Sequence, residues 1–578
     1  MSRTVVTGLT AALLSVLVLV VFLSTVSHGW APIDDGLNFT RNEHYRGLGW
    51  ENLRWMWTTR LAGHYIPLSW MSLGADYLVS DMNPAGYHRT NVLLHLANAL
   101  LFFALSLRLL RADGAGSATQ TNNDPATVLA AFAAAAFFAA HPLRVESVAW
   151  ITERRDLLCG FFVLITVHAY LVFVASVSSR RRRALFWALA AFAAALLAKG
   201  IAIILPLALL ALDAGPLRRL DADPRRWRFG EMRGILVEKL PFVLLSATFA
   251  ILTLWAIAPV MAASKIAGLE HRLLAAGYGL SFYLEKTFLP FAIPFQVPTT
   301  DLLSTATDPL VALRGTAFVV LLSLTVHLWW RYRRPQPALA LLVFTAFVLP
   351  VSGLFQAGPQ LAAHRYTYLS CLPLALLVGG VVMRAWRSRW PAARAGSVIA
   401  VCGLTVLLAQ SARAKVELWR DDVSFCRAAV RDAPRAWAPV GALARAHIVR
   451  GEEPEALAVL REGRRRFPEA LALPYLEALL LASSSNDEVR DGEAAFHLAQ
   501  EVARRTSFQD PAALLALAAA TADSGDGASA KRLLESALEL SRAGRKPDLV
   551  PALEEAVRQL ARSGLVRLTP RDWERLVL

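Results

Sequence analysis

Cysteine is scarce in this 578-residue chain: there are four, of which Cys159, Cys371 and Cys402 lie inside apolar runs and Cys426 stands alone after them. That distribution leaves no disulfide framework and no CxxC metal spacing. Charged residues are thin as well, 18% against 55% hydrophobic residues, which is too apolar a balance for two soluble domains. Acidic residues number 45 against 60 Lys and Arg, giving a net charge of +15. Nucleic-acid binding would need those basic residues gathered on one soluble face. They fall instead in short loops between apolar runs, which argues against it. The N-terminal stretch "MSRTVVTGLTAALLSVLVLVVFLSTVS" lacks a small-x-small cleavage site. Its basic start and long apolar run therefore read as a retained first span, not a signal peptide.

What the chain has is apolar runs, at 8–27, 90–110, 126–140, 157–177, 240–262, 310–330, 338–355, 367–383 and 396–412. About twenty apolar residues cross a bilayer, so each is a candidate span. The run 184–212 reads as two helices meeting at Lys199-Gly200, because one kinked span would send Arg218, Arg219, Arg225, Arg226, Arg228, Arg233 and Lys239 outside, against the positive-inside tendency. For the same reason, with "RYRRP" at 331–335, the run 273–295 reads as re-entrant or interfacial. The count is about eleven spans with the N-terminus inside and the C-terminus outside.

This topology brings four clusters to the outer face: Asp34-Asp35, the stretch "HPLRVESVAWITERRD" from His141 to Asp156, Lys199, and His364-Arg365. Charges near a bilayer are costly and mark function by default. Each could singly be a snorkelling or paired side chain, but four on one face favour a site.

The segments "YIPLSWMSLGADYLVSDMNPAGYHRTNVLLHLANALLFF" (65–103), "HPLRVESVAWITERRDLL" (141–158), "LAKGIAIILPLALLALD" (197–213) and "HRYTYLS" (364–370) resemble bacterial GT-C membrane glycosyltransferases of the protein O-mannosyltransferase-like type that carry tetratricopeptide repeats (TMTC). The resemblance runs from about Asp34 to Leu372. It implies an all-α polytopic membrane domain over 1–412, with a first outer loop at 30–88. It also implies transfer of a mannose-like hexose from a polyprenyl-phosphate donor to a protein or glycan hydroxyl, at the outer face of a bacterial inner membrane.

Such transfer needs a base and a means of stabilising the leaving phosphate. The resemblance places the catalytic acid at the pair Asp34-Asp35, with Asp34 the first candidate for the base and Asp35 the second; the alternative is that adjacent Asp residues cap the following turn. Arg154, Arg155, Lys199 and Arg365 are candidates for the phosphate. Tyr366 adds a hydroxyl or belongs to an interfacial aromatic belt. His141, Glu146 and Asp35 suit either a divalent cation or a hydrogen-bonded network, with Asp156 and His364 as supporting groups. In the outer loop Tyr65 and Trp70 suit an acceptor sugar or an interfacial helix.

Past the last span, 413–578 turns to Ala, Leu, Arg and Glu at helical period. Leu443, Gly451, Ala456, Leu460 and Pro468 have tetratricopeptide spacing, and Leu517, Gly525, Ala530, Leu534 and Ala537 repeat most of it. This predicts a soluble, non-cytoplasmic helical solenoid for a protein partner, against a generic helical bundle. The rival to the enzyme is a membrane-anchored repeat scaffold with a degenerate transferase site.

Overall fold

The computed structural model describes residues 3–114, 124–263, 268–291, 293–294, 297–298, 309–354, 360–484, 486–569 and 572–573. Secondary structure there is helical apart from one short antiparallel pair, Val297–Pro298 with Gln360–Ala362, in which Val297 faces Ala362. The chain forms two compact units, Met1–Asp421 and Asp422–Leu578.

In the first unit six helical segments are long and apolar enough to cross a membrane: Val5–Ser27, Pro84–Arg111, Ile151–Ala175, Phe229–Pro259, Val311–Tyr332 and Pro391–Trp419. Two bent pairs, Pro125–Ala139 with Pro142–Ala149 (50°) and His364–Ser370 with Leu372–Trp386 (60°), raise the count to eight among the described residues. This makes the chain a multi-pass membrane protein. The other three of the eleven expected spans, Ser178–Ala198, Gly200–Ala214 and Gln336–Val351, are helical but fall outside that count by length and composition. Gly200–Ala214 and Gln336–Val351 are the shorter two, and at about 1.5 Å per residue neither reaches the ~30 Å of a hydrocarbon core. The helix Ser178–Ala198 opens on four arginines, Arg180 to Arg183. The 273–295 run forms most of the helix Leu269–Phe288; its residues 292 and 295 lie outside the described ones.

Helices at one end of this unit break instead of running on. At 140–142 the His141 Nδ1 accepts the Leu143 amide at 3.2 Å, and Pro142 opens the next turn. Ser178–Ala198 stops at Lys199, whose backbone is extended (φ −159°, ψ 131°), before a 3-10 turn over Gly200–Ile204. Ser69 Oγ donates to the Ala198 carbonyl at 3.0 Å there, supplying a partner that the lost helical turn no longer provides. Irregular backbone of this kind persists in a membrane protein only where protein or water satisfies it, and charged side chains collect beside it.

The second unit has, among the described residues, a succession of eight α-helices from Asp422–Asp432 to Val550–Ser563. The Ala-Leu helices Ala472–Ser483 and Pro511–Asp523 are buried nearly all round. Gly492–Arg505 buries only the stripe Ala495, Ala499, Val502 and Ala503, and Gly527–Arg542 only Ala530, Leu534, Ala537 and Ser541. Inner helices therefore alternate with amphipathic outer ones. Two joints share one geometry: Gly451 (φ 77°) and Gly525 (φ 89°) take the left-handed conformation. The following amides reach back five residues, Glu452 to His447 O at 2.9 Å and Asp526 to Thr521 O at 3.2 Å. Both are glycine-terminated helix ends of the Schellman kind.

Candidate functional site

The two acidic residues after the first span have different fates. Asp34 adopts φ 54°, and this left-handed turn separates its side chain from that of its neighbour. Asp35 is buried, and both its oxygens are occupied. Oδ1 accepts from Trp150 Nε1 at 3.0 Å and Thr152 Oγ1 at 2.7 Å, and Oδ2 accepts the Ala31 amide at 2.8 Å. Burial pushes the Asp35 carboxyl up to about 7 despite those donors. Asp34 stays open to solvent, yet enough protein crowds it that desolvation raises its pKa, opposed by the positive charges of Arg155 and Arg365. Asp34 is thus an accessible but crowded carboxylate, whereas Asp35 ties the segment of Trp150 and Thr152 to the chain after the first span.

The centre of the cation cluster is a residue the sequence reading passed over, Glu153. It is fully buried, and three cations converge on it. Arg155 donates Nη2 to Oε1 at 2.5 Å and Nε to Oε2 at 3.1 Å; Lys199 Nζ lies 3.0 Å from Oε2 and Arg365 Nε 3.1 Å from Oε1. Lys199 also donates to Asp156 Oδ1 at 2.6 Å, and Ser147 Oγ donates to Asp156 Oδ2 at 3.2 Å. Arg365 Nη1 pairs with Glu146, whose other oxygen accepts the Arg365 amide at 3.0 Å. The Arg365 guanidinium lies 4.8 Å from the Tyr366 ring centroid and 5.3 Å from that of Trp150, the indole that donates to Asp35. One chain of contacts thus runs from Asp35 through Trp150 to Arg365. Glu153 had a signal in the sequence, one of two carboxylates inside "ITERRD", but nothing there set it apart from Glu146.

The remaining sequence candidates lie elsewhere. Arg154 is fully buried and turned to other helices, with Asp76 Oδ2 at 2.7 Å, Ser72 Oγ at 2.9 Å, the Tyr87 carbonyl at 2.7 Å and Asn91 Oδ1 as partners. His141 bonds the Thr287 carbonyl through Nε2 at 3.0 Å, so both its ring nitrogens serve the bend. His364 is buried, with its carbonyl accepting Thr367 Oγ1 at 2.7 Å. Trp70 is buried edge-on to Trp55, with ring centroids 5.2 Å apart, and Tyr65 is half-buried. No group of three or more His, Cys, Asp or Glu side chains placed to hold a metal ion occurs among the described residues. Since Glu146 is taken by Arg365 and His141 by backbone, the donor set does not fit a divalent cation.

A second residue missed in the sequence is His64. Like Asp34 it is open to solvent but crowded. Desolvation first, then Arg155, Lys199 and Arg365, drive its pKa down to about 3, against the charge of Glu153. An imidazole whose charged form is disfavoured and an accessible carboxylate thus stand within electrostatic reach of a cluster of three cations with three carboxylates.

Comparison with known proteins finds partial sequence similarity to one named group. The chain is 32% identical over 111 residues to Protein O-mannosyl-transferase Tmtc3 of Drosophila melanogaster, covering 18% of this chain and 12% of that protein. It is 29% identical over 164 residues to Protein O-mannosyl-transferase TMTC2 of Homo sapiens, covering 27% and 18%. With TMTC4 of Homo sapiens the figures are 30% over 120 residues, 20% and 16%. The matched parts are thus less than a fifth of those relatives' length. No family model matches the chain, and no solved structure matches it significantly. What the chain resembles, over about a quarter of its length at most, is proteins named as O-mannosyl-transferases.

Proposed function

We propose that the chain is a membrane glycosyltransferase that moves a mannose-like sugar from a polyprenyl phosphate to a hydroxyl of a protein or glycan. The observation that carries this reading is an accessible carboxylate, Asp34, within electrostatic reach of Arg155 and Arg365. The relatives' names supply the reaction class.

In this reading the isoprenoid tail stays in lipid and the sugar-phosphate head reaches these groups. The acceptor oxygen attacks the anomeric carbon while its proton passes to Asp34. The bond from that carbon to the phosphate oxygen breaks, and its electron pair leaves with the phosphate. The growing phosphate charge meets Arg155, Lys199 and Arg365, which Glu153, Asp156 and Glu146 hold in place. Such preorganised cations act strongly where water is excluded. Arg155 Nη1, the Tyr366 hydroxyl and a remaining Lys199 proton are the groups that reach the ligand. Asp35 orients Trp150 and is a positioning residue. His64, neutral, hydrogen-bonds the acceptor or the sugar. The second unit is a tetratricopeptide-like solenoid that recruits the acceptor, and both it and the ion cluster face the non-cytoplasmic side.

The test is transfer by the purified full chain from a mannosyl polyprenyl phosphate to a Ser/Thr peptide. Asp34→Asn keeps the side chain's size but cannot take the proton, so turnover is expected to fall about 100- to 10,000-fold with donor binding retained. Unchanged turnover in Asp34→Asn removes the base and, with it, this mechanism.

A further inference from the structure

A cavity of about 590 Å³ lies among the helices Pro84–Gly114, Arg154–Ala175, Leu205–Ala214, Gln336–Val348 and Leu372–Trp386. That size is within the ~300–1,000 Å³ of ordinary ligand sites. Its wall is almost wholly apolar, with Phe102, Val167, Ala208 and Leu376 among the lining residues, and it reaches the surface beside Val381, which is 67% exposed. The polar exceptions are gathered at one end: Arg334, Gln336, Arg384 and Arg387. Arg387 shares its guanidinium with Asp124 at 3.1 Å. Arg334 and Arg384 are exposed and form no ion pair among the described residues.

An apolar groove closed at one end by three guanidiniums matches a molecule with hydrocarbon chains and an anionic phosphate. Arginine forks onto phosphate oxygens, and basic pockets between membrane helices hold anionic headgroups. Which lipid is decided by the position of the cations. Arg384 stands twelve residues along its helix from Leu372, which follows directly on the His364–Ser370 segment carrying Arg365. At about 1.5 Å per residue the guanidinium end of the groove is roughly 18 Å from the helix end nearest the ion cluster. A sugar-phosphate seated on Arg384 could not present its anomeric carbon to Asp34. We infer that this groove binds an anionic glycerophospholipid of the surrounding membrane, with acyl chain between the helices and phosphate on Arg334 and Arg384. This site is separate from the ion cluster and stands whether or not the transferase reading does.

Native mass spectrometry of the detergent-solubilised full chain reads the site directly, with dioleoylphosphatidylglycerol, dioleoylphosphatidylcholine and an undecorated polyprenyl phosphate as probes. The wild type is expected to retain phosphatidylglycerol at least tenfold better than phosphatidylcholine. The Arg334→Ala/Arg384→Ala pair erases that preference, and Arg384→Lys keeps most of it. Ala208→Phe, which fills the groove, lowers retention of both phospholipids; gel filtration of each variant reports whether it is folded. Equal retention of the two phospholipids by the wild type overturns the inference. So does a preference that survives in the folded double variant, and so does displacement of phosphatidylglycerol by polyprenyl phosphate at equal concentration, which assigns the groove to the donor's tail.

Discussion

Adjacent residues of one type do different work in this chain, and rotation about the backbone is the reason. Arg154 and Arg155 begin the same helix. A step of one residue turns a helix by about 100°, which sends Arg154 to Asp76 and Arg155 to Glu153. At Asp34 the left-handed φ does the same for the acidic pair. The electrostatics at this scale yield a signed prediction. Burial raises the Asp34 pKa and Arg155 lowers it. If Asp34 is the base proposed above, it works only when ionised, so the acid limb of kcat/KM against pH is expected above the ordinary carboxylate value of about 3.9. Arg155→Gln removes a charge that favours ionisation, so its limb should move to higher pH in addition to the loss of rate. A limb that stays put or moves down in Arg155→Gln would show that Asp34 is not the group being titrated.

Between helices, close approach and buried charge set the constraints. A Cβ on Gly379 would lie 2.6 Å from the Ala130 carbonyl oxygen of the facing helix, whereas one on Gly380 would meet nothing within 4 Å. Gly379→Ala is therefore expected to destabilise the membrane unit by about 1–3 kcal/mol and Gly380→Ala to leave melting in detergent nearly unchanged; the reverse order contradicts this packing. Lys199 stands between Glu153 and Asp156 at the helix break. Lys199→Met leaves the buried Asp156 without its cation while Glu153 keeps Arg155 and Arg365, and should cost about 3–5 kcal/mol. Adding Asp156→Asn should restore part of that stability without restoring transfer, a double-mutant result that a purely structural lysine would not give. The break at Lys199 was readable from sequence because the following loop's arginines forbid a single span. So were the apolar runs and the electrostatic weight of 141–156. Three things were not readable: Glu153 as the hub, the burial of Asp35, and the presence of His64 near the ion cluster. Each depends on helix phase and on which loops meet, and neither hydropathy nor residue spacing encodes that. Helix length is a related case: counting apolar residues does not register where a helix stops, and the Gly200–Ala214 and Gln336–Val351 helices are shorter than a full span.

For the molecule as a whole, the division of labour follows from where the groups lie. Every member of the ion cluster, the two acidic residues and His64 belong to the first unit, Met1–Asp421, while the alternating inner and outer helices make up the second. If the second unit recruits a protein acceptor, removing it takes nothing from the reacting centre. A chain ending at Asp421 should bind donor and transfer to a short Ser/Thr peptide at a rate within a few-fold of the full chain, because the barrier is set by groups that remain. Its preference for a full-length protein acceptor should vanish, because stacked helix pairs make their contacts over an extended surface that a short peptide does not fill. Lys199→Met/Asp156→Asn, which leaves the second unit intact, should fail with both acceptors alike. Comparing the full chain, the truncated chain and that double variant on the two acceptors separates recruitment from chemistry. Loss of both transfers in a folded, donor-binding truncated chain would mean that residues 422–578 complete the active site, and equal preference of truncated and full chains for the protein acceptor would leave the second unit without a part in recognition.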